Sequence, residues 1–312
     1  MVSPQGRVIV VGAGFAGVGA ARLLMTNGYD VTVLEASDRQ GGRVKTNHHL
    51  GLAIDLGASG LHGGSRNPLK RVARDINVET QITDYLNFAA FDVEQQRPVA
   101  IERASLEREL KHFESALQSV SLWPYLRTLL GRRLGFGASN VTVATILDAA
   151  SMRSTHPNSP LSRLLRIMVE NLFASPAQEL GFANLIPKSA TEPEPELLPS
   201  REDLVTGGMD TILNYLARGL PIRLGEVVNQ ITYDRQSVRV HTQDQIYEAD
   251  KVIVTVSIGV LRAGQILFDA ELPRGYRRAL ARIDILSLRM FLAAFSFLSI
   301  THPHLQTCVK RG

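Results

Sequence analysis

The sequence predicts an α/β fold built on a parallel sheet, and three observations near its start predict it. Residues 7–11, RVIVV, are a largely apolar, β-branched run of the kind found in a strand buried on both faces. A glycine-rich turn, GAGFAG (12–17), follows at once and opens a helical stretch that NGYD stops at about Asn27. DVTVLEA (30–36) then reads as a second buried strand. Parallel strands joined by a helix within about thirty residues make a βαβ unit.

Beyond residue 81 the pattern changes. YLNFAAFDVEQQRPVAI (85–101) reads as two short strands around a polar turn, and helical segments follow near 102–120, 122–133, 142–151 and 160–173. TEPEPELLPS (191–200) is an acidic, proline-rich connector that can continue neither helix nor sheet. Strand character returns over 221–256, in short β-rich runs punctuated by DRQ and TQDQ turns. The expected organisation is a first domain from 1–80 and 201–260, and a second α+β domain from 81–200 and 261–312.

Composition sets outer limits. A chain of 312 residues suits two domains, and 45% hydrophobic against 21% charged residues is globular rather than disordered composition. The net charge of +4 comes from 28 Arg and 6 Lys against 30 acids, spread without a dense block. That spread argues against a nucleic-acid reader, which clusters its cations. One cysteine, Cys308, permits no intrachain disulfide and no cysteine metal site, so no metal is expected and a reducing, cytoplasmic setting fits. The N-terminus runs almost directly into a strand, leaving no room for a signal peptide. MFLAAFSFLSI (290–300), at 11 residues, is too short for a membrane helix.

The first chemistry lies in the turn. Gly12, Gly14 and Gly17 form G-x-G-x-x-G between strand and helix: one glycine for the tight turn, one for close approach of a pyrophosphate, one for helix–sheet packing. Free N–H groups and the dipole at the helix start favour phosphate charge. Glu35, 18 residues past Gly17, ends the second strand, where a carboxylate can accept from a ribose diol; an exposed strand-end acid is the other reading. An acid there disfavours NADP, whose 2′-phosphate it would repel. Gly41 and Gly42 precede Arg43 just after that strand. A backbone nest and a guanidinium there can reach the pyrophosphate from its other side; a plain surface loop with a solvated Arg is the alternative.

VIVVGAGFAGVGAARLL (8–24), VTVLEASDRQGGRV (31–44) and DLGASGLHG (55–63) together resemble the FAD-dependent amine oxidase family. NPL (67–69), VTGGMDTILNYLA (205–217), VVNQITYD (227–234) and ADKVIVTVSIGVLRAGQILFDAELP (249–273) extend the resemblance in family order. It covers residues 7–80 and 203–283, while 81–200 lacks specific motifs. The resemblance implies a Rossmann-like FAD-binding domain beside a substrate domain. It assigns the ADP half of a non-covalent FAD to Gly12, Gly14, Gly17 and Glu35, and its pyrophosphate and flavin to Gly42 and Arg43. It further assigns the isoalloxazine surroundings to Gly57, Ala58 and Ser59, and the adenine to the Val228 backbone. The implied reaction passes hydride from the α-carbon of a small amine to flavin N5, with O2 as final acceptor and H2O2 as product. No catalytic side chain is assigned. His62 either lines the active site or is structural.

Three departures qualify the likeness. Gly60 stands where the family carries an aromatic residue, which removes a large surface. Ser257 replaces the proline of TVPLGVL, which is expected to loosen that segment. After ARI (281–283) the tail resembles no family strand; Arg289 and Met290 fall where an asparagine–lysine pair is usual, and the last substrate-domain elements and the C-terminal flavin motif are missing. The expectation is a C-terminally truncated chain, by frameshift or premature stop or as a natural short form, with 290–300 an exposed apolar segment open to self-association. Two alternatives to an amine oxidase stay open. One is an inactive remnant or nucleotide-binding subunit; the other is a flavoprotein of similar architecture, such as a carotenoid desaturase or protoporphyrinogen oxidase. Trp123 and Tyr125 read as core anchors, Glu170 as a solvated or helix-pairing acid, and Glu192, Glu194 and Glu196 as a solvated linker face.

Overall fold

The computed structural model describes residues 4–62, 67–83, 90–92, 96–99, 102–104, 107–108, 111, 142–153, 160–173, 175–181, 202–269 and 272–282. The chain divides into two compact units, Met1–Thr83 with Arg201–Ile285, and Asp84–Ser200 with Leu286–Gly312.

The first unit begins with β1 (Arg7–Val11), α1 (Phe15–Thr26) and β2 (Asp30–Glu35). β1 and β2 run parallel, with Val8 beside Val31 and Val10 beside Val33. The apolar run of β1 is buried from Val8 to Val11, and Val33 is fully buried beside it. Each such aliphatic side chain contributes on the order of 1.5–3 kcal/mol by leaving water. Three short strands follow: β3 (Thr46–Asn47), β4 (Ile54–Asp55) and β5 (Gly60–Leu61). α2 (Pro68–Asp75) starts with proline after an Asn67 cap that accepts from the Leu69 amide at 2.8 Å, a strong helix-start signal. β6 (Thr80–Thr83) closes the first segment.

In the second unit, β7 (Ala90–Asp92) and β8 (Arg97–Val99) pair antiparallel, as the two short strands read from the sequence. Helices Val143–Arg153 and Pro160–Phe173 join through buried Val143, Leu147, Val169 and Ala177. Glu170 accepts from the Ala177 amide at 3.0 Å and pairs with Arg166 at 3.4 Å, which is the helix-pairing role. The segments read as helices over 112–120 and 122–133 lie outside the described residues. So do the 191–200 connector, Trp123, Tyr125, Cys308 and everything from 283 onward.

The chain returns to the first unit with β9 (Glu202–Val205), which lies between β5 and β6 and pairs antiparallel with both. Helix Asp210–Ala217 leads into β10 (Ile222–Leu224), which pairs parallel with β2. β11 (Gln230–Tyr233), β12 (Val238–His241) and β13 (Ile246–Ala249) form an antiparallel meander, and β14 (Lys251–Val254) pairs parallel with β1. The main sheet is therefore ordered β10-β2-β1-β14, with half its strands drawn from each segment. After helix Ile258–Arg262, β15 (Leu267–Phe268) pairs parallel with β11. That pairing carries the first unit through Ile285, where the sequence reading drew its boundary at 260.

Candidate dinucleotide site

The site gathers at the C-terminal ends of β1, β2 and β14. Gly12 turns the chain out of β1 at φ +103°, a conformation that L side chains rarely adopt, and its amide bonds to the Leu34 carbonyl at 2.8 Å. Gly14 is the N-cap of α1 in extended conformation, and Val18 donates back to its carbonyl at 2.9 Å. α1 has no capping side chain and no acid in its first turn. Among the described residues nothing accepts from the amides of Ala16 and Gly17, so donors and dipole at this helix start are uncompensated.

A side chain at each glycine would meet very different surroundings. A Cβ on Gly17 would sit 1.8 Å from the Gly12 carbonyl oxygen and 2.9 Å from Thr255 Oγ1. On Gly12 it would lie 2.9 Å from the same Thr255 hydroxyl. These two glycines are required by packing. On Gly14 the nearest atom would be the Gly41 carbonyl oxygen at 3.8 Å, and on Gly42 the Gly14 Cα at 3.7 Å. The glycines of the two loops thus meet at ordinary contact distance without crowding, with Gly42 itself at φ +56°. Two loops that approach without side chains, beside the Ala16 and Gly17 amides that have no acceptor among the described residues, suit a diphosphate.

Glu35 is buried, at 7% exposure, and its carboxylate is mostly spoken for. Oε2 accepts from the Ala13 amide at 2.7 Å; Oε1 accepts from Ser37 N at 3.0 Å and Ser37 Oγ at 2.7 Å. The exposed-acid reading therefore fails. One lone-pair direction on Oε2 remains for a ribose hydroxyl, fewer than the sequence motif alone suggests. The Glu226 amide donates to the Glu35 carbonyl at 2.9 Å, which brings Val228 alongside; Val228 is buried with Leu34 and Ile231.

The second glycine loop is tied on both sides. Gly41 donates to the Ala13 carbonyl at 2.9 Å. Arg39, unremarked in the sequence, braces the loop by donating to the carbonyls of Gln40 (3.1 Å), Gly42 (2.8 Å) and Val44 (3.0 Å). Arg43 is exposed, with no acceptor assigned to its guanidinium among the described residues. The Ala58 amide reaches the Arg43 carbonyl at 3.2 Å, and a Cβ on Gly57 would lie 1.9 Å from that oxygen. Gly57 and Ala58 thus pack backbone to backbone against Arg43, with Ser59 next before β5. The ten residues that the resemblance assigns to FAD lie in these loops, near the strand ends or, for Gly17, in the first turn of α1.

Two other contacts were missed. Thr255 Oγ1 donates to the carbonyls of Val11 (2.8 Å) and Gly12 (3.2 Å), holding the first loop from the far end of the chain. Asp55 accepts from Thr46 Oγ1 at 2.5 Å and the Met209 amide at 3.1 Å. Burial pushes its carboxyl above the usual range, against those two hydrogen bonds, which pull it down. Ser257, expected to loosen its segment, instead caps helix Ile258–Arg262 and accepts from the Val260 amide at 3.4 Å. Among the described residues there is no group of three metal-ligating side chains and no helix long and apolar enough to cross a membrane.

Known proteins resemble this chain in sequence and fold. The family described as flavin containing amine oxidoreductase matches residues 15–295. Polyamine oxidase 4 of Oryza sativa subsp. japonica is 31% identical over 288 residues, 89% of this chain and 56% of the relative. Lysine-specific histone demethylase 1 homolog 2 of Arabidopsis thaliana is 31% identical over 284 residues, 89% of this chain and 36% of the relative. The chain thus spans about half the length of the first of these and about a third of the second. A solved structure of a putrescine oxidase variant redesigned at its cofactor site shares the fold at a TM-score of 0.62 and 20% identity, covering 89% of this chain and 63% of that one. The chain belongs to the flavin containing amine oxidoreductase family, whose cofactor is FAD.

Proposed function

We propose that this chain acts as an FAD-dependent amine oxidase, removing a hydride from the α-carbon of a small amine. The amine becomes an imine that water hydrolyses, and O2 leaves as H2O2. FAD would supply the two-electron acceptor between amine and oxygen. The protein's share is to hold and orient it. The first-turn amides of α1 and the Gly41–Gly42 loop receive the diphosphate, Glu35 Oε2 takes one ribose hydroxyl, and the Val228 backbone borders the adenine. Arg43 is the free cation beside the diphosphate, while Arg39 keeps its loop in shape.

The observation that carries this reading is the division of the glycines: Gly12 and Gly17 are closed in by protein, whereas a Cβ added at Gly14 or Gly42 would make only an ordinary contact, at 3.8 or 3.7 Å. The test is to purify the protein, titrate it with FAD by fluorescence quenching, and assay peroxide on adding putrescine, spermidine or tyramine. A saturable FAD signal with amine-dependent peroxide supports the proposal. FAD binding without peroxide reduces the protein to a flavin-binding subunit; absence of FAD binding refutes the reading altogether.

A further inference from the structure

Val228 is buried, yet among the described residues no hydrogen bond reaches its peptide N–H or its carbonyl. The residues around it are engaged. The Gly225 and Glu226 amides donate to the carbonyls of Ser37 and Glu35, each at 2.9 Å. Asn229 donates to the His241 carbonyl at 3.0 Å and accepts from the Leu267 amide at 2.8 Å. Val227 is exposed, so water serves its peptide groups. Buried peptide groups are nearly always paired, and one buried residue left open in a stretch tied on both sides marks a place for a ligand. A residue that offers one N–H and one C=O complements an adenine edge, which sets a ring-nitrogen acceptor beside the N6 amino donor.

A side-chain clamp from the meander holds this stretch. Glu226 Oε1 accepts from the Tyr247 hydroxyl at 2.6 Å and from Gln245 Nε2 at 2.9 Å. Tyr247 lies on β13 and packs against the same apolar cluster as Val228. Arg223 of β10 donates to the Tyr247 hydroxyl at 3.3 Å, with its guanidinium 5.2 Å from the ring centre. The tyrosine thus accepts from the strand before the 225–229 crossing and donates to a residue within it.

We infer that Tyr247 and Glu226 are positioning residues for the base of the dinucleotide, clamping the 225–229 crossing so that the Val228 N–H and C=O meet adenine already in place. This rests on the FAD reading, and it adds to the backbone contact the side chains that fix it. Holding a loop in its bound conformation raises affinity by removing the cost of ordering it. The Tyr247 hydrogen bond draws the Glu226 carboxyl below its usual range, while burial and Glu226 push the Tyr247 hydroxyl up. Donor and acceptor therefore keep their roles across the neutral pH range.

The test compares FAD with flavin hypoxanthine dinucleotide, in which a carbonyl replaces the N6 amino group, each titrated calorimetrically into the apoprotein. The wild type should prefer FAD about tenfold, the scale of one hydrogen bond. Y247F keeps the ring and loses only the hydroxyl, and E226A removes the acceptor; each should lower the preference to about threefold or less. Urea denaturation establishes that each variant is folded. Tyr247 and Glu226 lie on different segments, so a folding failure in one leaves the other to decide. A merely structural brace would weaken both dinucleotides alike; an undiminished preference in a folded variant therefore overturns the inference. So does a wild type that binds the two dinucleotides equally. A wild type that binds neither refutes the FAD reading itself, and the inference falls with it.

Discussion

Alanine placed at three glycines of one helix region should give three different outcomes. G19A puts a Cβ where nothing lies within 4 Å, in the middle of α1. It should stabilise by about 0.5–1 kcal/mol, since glycine costs that much in a helix interior. G17A makes the same propensity gain two residues away, yet its Cβ meets the Gly12 carbonyl at 1.8 Å, about half an ordinary contact distance. The obstacle is backbone, held by the Leu34 carbonyl and the Thr255 hydroxyl, so no rotamer change relieves it. The propensity gain cancels between the two, so overpacking of about 1–3 kcal/mol is what separates G17A from G19A. In urea that is about 0.5–1.5 M between midpoints, read by circular dichroism. G14A has an allowed backbone at φ −75°, and its Cβ meets only an oxygen at 3.8 Å. It should lose no more than about 1 kcal/mol of stability, the scale of a weakened N-cap. Its FAD affinity should nevertheless fall at least about tenfold, or 1.4 kcal/mol, because the added methyl stands where the diphosphate approaches. Equal urea midpoints for G17A and G19A, or native FAD affinity in G14A, would refute the division of packing from binding glycines.

Three further outcomes follow from individual contacts. E35A strands the buried Ala13 amide and should cost about 1–3 kcal/mol in urea denaturation as well as weakening FAD binding; loss of affinity at full stability would mean that the amide finds another acceptor. T255V keeps shape but loses the hydroxyl bonds to Val11 and Gly12, and should lower stability by about 1 kcal/mol. A native melting curve would show that the hydroxyl does not brace the turn. Asp55 and Glu202 both have carboxyls raised by burial, so above their ordinary values of 3.8 and 4.5 the folded protein holds protons more tightly than the unfolded chain. Stability from these groups is fullest below those values and declines as pH rises through the raised folded ones. D55N, which keeps an acceptor for Met209, should flatten that decline in urea midpoints taken from about pH 4 to pH 7; an unchanged slope would rule Asp55 out as its source.

The parts of this site that were legible in the sequence are those whose causes are local. Continuous apolar runs report the double burial of β1 and β2, and glycine spacing reports the turn between them, because each pattern is written within a few residues. The short strands within 221–256 and the turns between them were legible for the same reason, while their antiparallel pairing was not read. Contacts across the chain leave no such trace. Thr255 sits 243 residues from Gly12, so nothing near either one announces their bond. Arg39 and Arg43 read alike within one short loop, and only the fold shows that the first braces carbonyls while the second is exposed. Gly60 looked like a lost surface because its replacement, Glu202, arrives from another strand. Ser257 looked like lost rigidity because a proline was being counted, while its hydroxyl caps the next helix.

The long-range contacts also change what the glycine motif means. G-x-G-x-x-G is usually taken as a self-contained instruction, but here Gly17 packs on Gly12 and Thr255, and Thr255 follows β14. β2 goes to one side of β1 and β14 to the other, so the crevice opens above β1, where Gly12 leaves the strand. Neither segment of the first unit makes that crevice alone. Residues 4–62 supply both glycine loops and the acid, while residues 202–269 supply β10 and β14 as flanking strands, the hydroxyl that fixes the turn, and Val228 beside Glu35. The cradle is thus a tertiary feature with a local signature. That is why two of its glycines answer to protein atoms, and why, on the proposed reading of the other two, substitutions should separate folding from binding.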